Sequence, residues 1–138
     1  MTDITTLGLD DLLQGLKEKK FSSRELTQSY IDRINKHKEL NSFISVAEEE
    51  ALKDADLADT QRAKGVEKPL LGIPIAVKDL ILTKGLRTTA ASKILSDFIA
   101  PYDATVVTKL KEAGAHILGK TNLDEFAMGA SNETSAFG

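Results

Sequence analysis

Leu70-Leu71-Gly72-Ile73-Pro74-Ile75-Ala76-Val77-Lys78-Asp79 holds the longest apolar run of the chain, the eight residues from Leu70 to Val77, and ends abruptly at a charged pair. Ile73, Ile75 and Val77 alternate as one face of a strand does. Pro74 has no N–H to give to a ladder, which places this strand near a sheet edge or makes it begin close to that point. Neighbouring strand residues point to opposite faces, so Lys78 and Asp79 cannot both meet water in the same way. One of them points toward whatever covers the sheet. A lysine at the end of an apolar strand is either a solvated strand end or a place for chemistry, and spacing alone favours the first.

Downstream, the pattern continues as alternating elements. A loop with Gly85 and the polar run Arg87-Thr88-Thr89 leads to a short helical stretch expected over 90–95. Asp103 is placed to cap a helix over 104–113, with Val106, Val107 and Leu110 on its inner face and Gly114 closing it. Ala115 to Leu118 reads as a second apolar strand. Strand, crossover helix, strand is a parallel βαβ pattern, and ligands of such sheets gather at the carboxyl ends of the strands, where Lys78 and the segment from Gly119 onward lie.

Upstream, periodicity switches to 3.6. Leu9, Leu12, Leu13 and Leu16 predict a helix over 9–20. Ser22 and Glu25 form a capping box, with Phe21 stapling onto Leu26, and the stripe Leu26, Tyr30, Ile31, Ile34 carries a second helix to about His37. His37 reads as a solvated residue of the last turn. A short extended piece spans 41–44. Ser45 and Glu48 suggest a second capping box for a long helix along Ala47, Ala51, Ala55 and Ala58, ended by Gly65. Glu49, Glu50, Lys53, Asp54 and Arg62 read as its solvated surface. These helices look like a wrapping layer without chemistry of their own.

Composition narrows the function classes. The 138 residues, 41% hydrophobic, suffice for one domain with a modest core. Eighteen basic and 21 acidic side chains are well mixed, with a net charge of -3, so no basic stripe offers a phosphate backbone a face. Without cysteine there is no disulfide framework, thiolate zinc site or cysteine nucleophile. His37 and His116 are isolated and have no visible carboxylate cluster to complete a metal site. Asp3, Asp10, Asp11 and Glu18 interrupt the first twenty residues, so they do not read as a signal peptide, and no run reaches the length of a membrane span. A soluble, cytoplasmic protein is the expectation.

Gly114 to Thr121 fits the phosphate-loop pattern G-x-x-x-x-G-K-[ST] letter for letter. A phosphate loop follows a strand, curls its amides around phosphates and opens a helix. Here a helix precedes Gly114 and the intervening residues read as the strand itself, so nucleotide binding by this segment is not expected.

Three separated blocks carry a resemblance: Gly72 to Asp79; Pro101-Tyr102-Asp103-Ala104-Thr105-Val106-Val107; and Gly119-Lys120-Thr121-Asn122-Leu123-Asp124-Glu125-Phe126-Ala127-Met128-Gly129. Together they resemble the amidase signature family, and within it the A-type chains of the glutamyl-tRNA(Gln)/aspartyl-tRNA(Asn) amidotransferases. The likeness covers nearly the whole chain. It implies an α/β fold in which N-terminal helices wrap the start of a mixed, largely parallel sheet. Residues 1–138 would be the N-terminal part of a single amidase domain, with 1–66 the helical layer and 67–138 the first βαβ part.

The family's catalytic group is a Ser–cis-Ser–Lys triad, and by its place in the motif the lysine is Lys78. That lysine must be neutral to accept a proton; an ordinary lysine has a pKa of about 10.4, and bringing it to about 7 means disfavouring the charged form by roughly 4 kcal/mol. Burial at the end of an apolar strand supplies that kind of penalty. Glu125, Met128 and Ser131 are implied to line the substrate pocket or an ammonia path, Met128 being equally well a core filler and Asp124 simply the cap of a short helix. Leu80 stands where many relatives carry a polar residue. The Gly- and Ser-rich motif that bears both family serines has no counterpart here, and Ser131 and Ser135 are not in such a setting. The chain is therefore expected to be an N-terminal fragment with one triad member of three, inactive alone and with a sheet edge and apolar surface uncovered.

For the whole protein the resemblance implies a glutamine-hydrolysing subunit supplying ammonia to convert Glu-tRNA(Gln) to Gln-tRNA(Gln). Its partners would be B- and C-type subunits, with charged tRNA met through the complex and no membrane involved. No cofactor is implied in this chain; ATP and Mg would act on the partner subunit. Two alternatives stand beside this one. The first is a stand-alone amidase for a small amide. The second is a non-catalytic fragment that pairs with another subunit through its N-terminal helices.

Overall fold

In the computed structural model, which describes residues 3–138, the leucine stripe forms α1 (Leu9–Lys17). It buries Leu12 and Leu16 and leaves Leu9 half exposed. α2 (Ser23–Lys36) begins at the expected box: the Glu25 amide donates to the Ser22 hydroxyl oxygen at 3.0 Å, and the Ser22 amide donates to the Glu25 carboxylate at 2.7 Å. Phe21 and Leu26 share a cluster with Leu12, Leu16 and Ile73, which ties the first two helices to the sheet. β1 (Phe43–Val46) follows, then α3 (Glu48–Ala63), whose buried edge is Ala51, Ala55 and Ala58 and which packs on α2.

β2 (Pro74–Lys78), α4 (Thr105–Glu112) and β3 (His116–Thr121) form the expected unit, with β2 and β3 parallel. β3 is the centre of a three-stranded mixed sheet of order β1-β3-β2, with β1 antiparallel to it. The short extended piece near residue 43 is thus a strand, and Pro74 does lie on an edge strand of this sheet. Val77, Ile117 and Val107 pack together beneath α4 on one face. Leu118 packs with Ile31 and Ala51 beneath α2 and α3 on the other.

β1 runs close over Gly119, where a Cβ would come 2.6 Å from the Ser45 carbonyl oxygen, so no larger residue fits that crossing. Gly114, which ends α4, has φ +98°, and a Cβ there would meet the backbone of Leu71 at 2.8 Å. That close approach places the start of β2 beside the start of β3.

Several expectations are corrected. β2 begins at Pro74 and not at Leu70, because Leu70 to Gly72 make a turn whose amides bond to Ala113 and Gly114 carbonyls. β3 extends to Thr121, so Gly119 and Lys120 lie inside the strand. The phosphate-loop letters therefore describe a strand with no loop to curl. Helix α1 stops at Lys17, and the stretch over 90–95 contains only a 3-10 turn at Lys93–Leu95. Ser45 does not cap α3; it sits in β1 paired with Lys120, and Ala47 holds the cap position without a side-chain bond. Asp103 does not cap α4 either. Its carboxylate accepts from the Lys84 amide at 2.7 Å and pairs with Lys111 at 2.8 Å. Arg62 is not solvated surface: it pairs with Asp59 and donates to the Leu71 carbonyl.

Candidate active site

The strand end read as chemically interesting is split between the two faces of the sheet. Ile75 and Val77 point toward α4, so Ala76 and Lys78 point to the opposite face, beyond the cover of α2 and α3. Both are exposed. Behind them on that face runs a groove of about 860 Å³ between α2 and β1, with Tyr30, Ile34, Pro74, Ala76 and Leu118 in its wall. The burial expected for Lys78 is not supplied by these residues: of the charged pair it is Asp79 that turns inward, fully buried. A turn from Lys78 to Ile81, closed by the Ile81 amide on the Lys78 carbonyl at 2.9 Å, ends β2.

The buried lysine is Lys120, in the middle strand and with no exposed surface. Its Nζ donates to the Ile81 carbonyl at 2.9 Å and to Thr88 Oγ1 at 2.8 Å, and lies 3.4 Å from Asp79 Oδ1. Burial pushes the Lys120 ammonium below the usual lysine range, against the opposing pull of Asp79. The other carboxylate oxygen, Oδ2, accepts the Thr89 amide at 2.9 Å and the Thr89 hydroxyl. Asp79, Lys120, Thr88 and Thr89 were not singled out as site residues by sequence. Strand alternation counted from Ile117 would have sent Lys120 to the opposite face; a register shift between Ile75 and Ala76 sets Val77 beside Lys120 and turns that charge to the covered side, where it needs a partner.

The segment after β3 folds around Asp124. Its carboxylate accepts the amides of Ser131, Asn132 and Thr134 and the Thr134 hydroxyl. The Asn132 and Thr134 amides hold this carboxyl below the usual range. Asp124 does precede a 3-10 turn, Glu125–Ala127, but its side chain organises the loop and does not cap the turn. Glu125, Met128 and Ser131 all lie in this loop. Glu125 is half-buried, Ser131 is exposed with its hydroxyl on Glu133, and Met128 is 76% exposed, so it fills no core here. The loop meets the segment after Lys78 at two backbone bonds, Phe126 amide to Ala90 carbonyl and Ala136 amide to Ala91 carbonyl, both 2.9 Å.

His116 is buried under α2. Thr27 donates its hydroxyl to the Ser23 carbonyl at 2.8 Å, so it accepts from His116 Nε2 at 2.9 Å, which fixes the proton on Nε2. Burial takes its pKa down to about 4, against the pull of Asp59. A neutral, buried imidazole beneath a helix is core, not a site. Among the described residues no group of three His, Cys, Asp or Glu side chains is placed to hold a metal, and no helix is long and apolar enough to cross a membrane.

The sequence profile described as Amidase matches residues 25–138. The A-type chain of glutamyl-tRNA(Gln) amidotransferase from Zymomonas mobilis is 51% identical over 138 residues, all of this chain and 28% of that protein. The A-type chain of the same enzyme from Legionella pneumophila is 58% identical over 131 residues, 95% of this chain and 27% of its own length. Among solved structures, the A-type chain of glutamyl-tRNA(Gln) amidotransferase from Thermotoga maritima superposes with a TM-score of 0.72 at 42% identity, over 99% of this chain and 27% of that one. The peptide amidase of Stenotrophomonas maltophilia gives a TM-score of 0.85 at 36% identity, over 94% of this chain and 27% of that one. The chain thus spans little more than a quarter of the length of the curated relatives it matches.

Proposed function

The chain belongs to the amidase family, and on that premise we propose that it is part of a glutamine amidohydrolase subunit whose ammonia converts Glu-tRNA(Gln) to Gln-tRNA(Gln). The observation that carries this reading is Lys78 in its motif, at the carboxyl end of β2, in a chain 51% identical along its whole length to a protein named as the A-type chain of that amidotransferase. The proton acceptor is Lys78 Nζ. The two serines of the triad lie in the part of the protein beyond these residues. One serine hydroxyl attacks the glutamine amide carbon. Its proton passes through the second serine to Lys78. The carbon–nitrogen bond then breaks, the nitrogen takes the proton back and leaves as ammonia, and water releases glutamate from the acyl-serine. Glu125, Met128 and Ser131 belong to the substrate side. ATP and Mg chemistry and tRNA binding belong to B- and C-type partner subunits in the cytoplasm, and the 138-residue chain by itself is inactive.

The test is Lys78→Ala in the complete enzyme. Glutamine hydrolysis should fall about a thousandfold with the fold intact, since loss of a positioned proton acceptor has effects of that order. Near-normal turnover would mean that another group takes the proton. The likeness to peptide amidase favours one second reading, a stand-alone amidase for a small amide. Co-purification with B- and C-type subunits separates the two.

A further inference from the structure

We propose that the buried Asp79–Lys120 pair is a positioning element, which sets the substrate-side loop, residues 125–131, against the strand end that bears Lys78. This rests on the reading of Lys78 and that loop given above. The route is a continuous set of bonds. Asp79 Oδ2 takes the amide and hydroxyl of Thr89, and the Thr89 hydroxyl oxygen in turn accepts the Ala91 amide at 3.1 Å. The Asp79 carbonyl accepts the Ala90 amide at 2.9 Å. These bonds hold Ala90 and Ala91 in the left-handed region, at φ 52° and 56°, both buried. Two consecutive non-glycine residues there are strained and persist only where their surroundings enforce it.

The carbonyls of this strained pair are the two that receive the Phe126 and Ala136 amides, on either side of the Asp124 loop. Phe126 and Ala127 are themselves left-handed, at φ 51° and 58°. Lys120 secures the other side. It binds Ile81 and Thr88, which flank the loop leaving β2, and neutralises the buried Asp79 carboxylate from 3.4 Å. Asp79 Oδ1 has no hydrogen bond of its own among the described residues, so Lys120 is its one compensation there. Neither side chain touches a reacting group in this scheme. Both act through the loop.

Two measurements test this separately from the role of Lys78. In the complete protein, Asp79→Asn should speed hydrogen exchange of the Phe126 and Ala136 amides about tenfold and leave the His116 amide in β3 unchanged, as for a local opening. In the complete enzyme the same variant should raise KM for glutamine about tenfold with a smaller change in kcat, and Lys120→Met added to it should cost little more, as for two residues acting as one unit. Thr89→Val should reproduce the exchange change and Thr89→Ser should restore it, which covers the case in which Asp79→Asn does not fold. Unchanged Phe126 and Ala136 exchange in Asp79→Asn and Thr89→Val would overturn the proposal. If instead Lys78→Ala keeps its activity while those amides open, the role of Lys78 fails and the loop-holding role of the pair stands.

Discussion

The two faces of the small sheet treat buried polar groups in opposite ways. Beneath α2 and α3, His116 is kept as a neutral ring with one hydrogen bond to Thr27, and the lysine of that face, Lys78, is left in the open beyond the helices. Beneath α4, Lys120 is taken inside and given a carboxylate, a carbonyl and a hydroxyl. Lys78 and Lys120 sit on adjacent strands, with Lys78 level with Thr121, the neighbour of Lys120. An apolar run that ends in a charged pair does not by itself bury its lysine. The reach of the covering layer decides that: the loop leaving β2 ahead of α4, with Ile81, Thr88 and Thr89, closes over Lys120, and nothing from α2 closes over Lys78 in the same way.

The largest effect separates the two lysines by stability. Lys120→Ala leaves the Asp79 carboxylate buried without its counter-charge and should destabilise the chain by about 3–5 kcal/mol, the cost typical of removing one partner of a buried pair. Lys78→Ala removes an exposed side chain and should stay within about 0.5 kcal/mol. Urea unfolding of both variants beside the parent chain measures this. Equal losses would mean that the two faces are not the different environments described above.

How far the sequence could reach follows the same division. Period-3.6 stripes found the three N-terminal helices, since each has to bury one face, and the Ser22 box was legible because capping is decided within four residues. The βαβ unit was legible from the switch to period 2. Features that depend on distant partners were not. Ser45 and Asp103 look like caps locally, yet Ser45 is claimed by pairing with β3 and Asp103 by Lys84 and Lys111. At the candidate site, the proposal of Lys78 rests on its motif. The burial assigned to it could not be checked from spacing, and the Asp79–Lys120 pair joins positions 41 residues apart that only the register of β2 on β3 brings together. The left-handed Ala90–Ala91 turn has no local signal at all, because alanine does not ordinarily mark that conformation.

A pH titration examines the neutral group on the first face. The pKa of His116 is about 4 in the folded chain and 6.5 when unperturbed. The unfolded chain therefore takes up the proton first as pH falls. The stability this histidine contributes is complete above pH 6.5 and is lost progressively down to about pH 4, by about 3 kcal/mol in all. His116→Gln keeps a donor for Thr27 and cannot titrate, so its stability should be flatter than that of the parent chain across this window. Parallel curves for the two would mean that the ring is not held neutral, and the contrast with Lys120 would narrow to one of packing.

The smallest effect lies at the starts of the helices that cover each face. α2 begins at a residue whose side chain is bonded to its third amide, whereas α4 begins at Ala104, which offers no side-chain cap. Ser22→Ala should cost about 1 kcal/mol and speed exchange of the Glu25 amide. Asp103→Ala breaks an exposed bridge to Lys111 and a bond to the Lys84 amide, and it should leave the first-turn amides of α4 as they were, because none of them is bonded to that carboxylate. If Asp103→Ala frays α4 as Ser22→Ala frays α2, then Asp103 steadies the helix from outside its first turn, through Lys111 or the Lys84 amide. The loop leaving β2, which gives Lys120 its Ile81 and Thr88 partners, and α4 would then be held together as one cover.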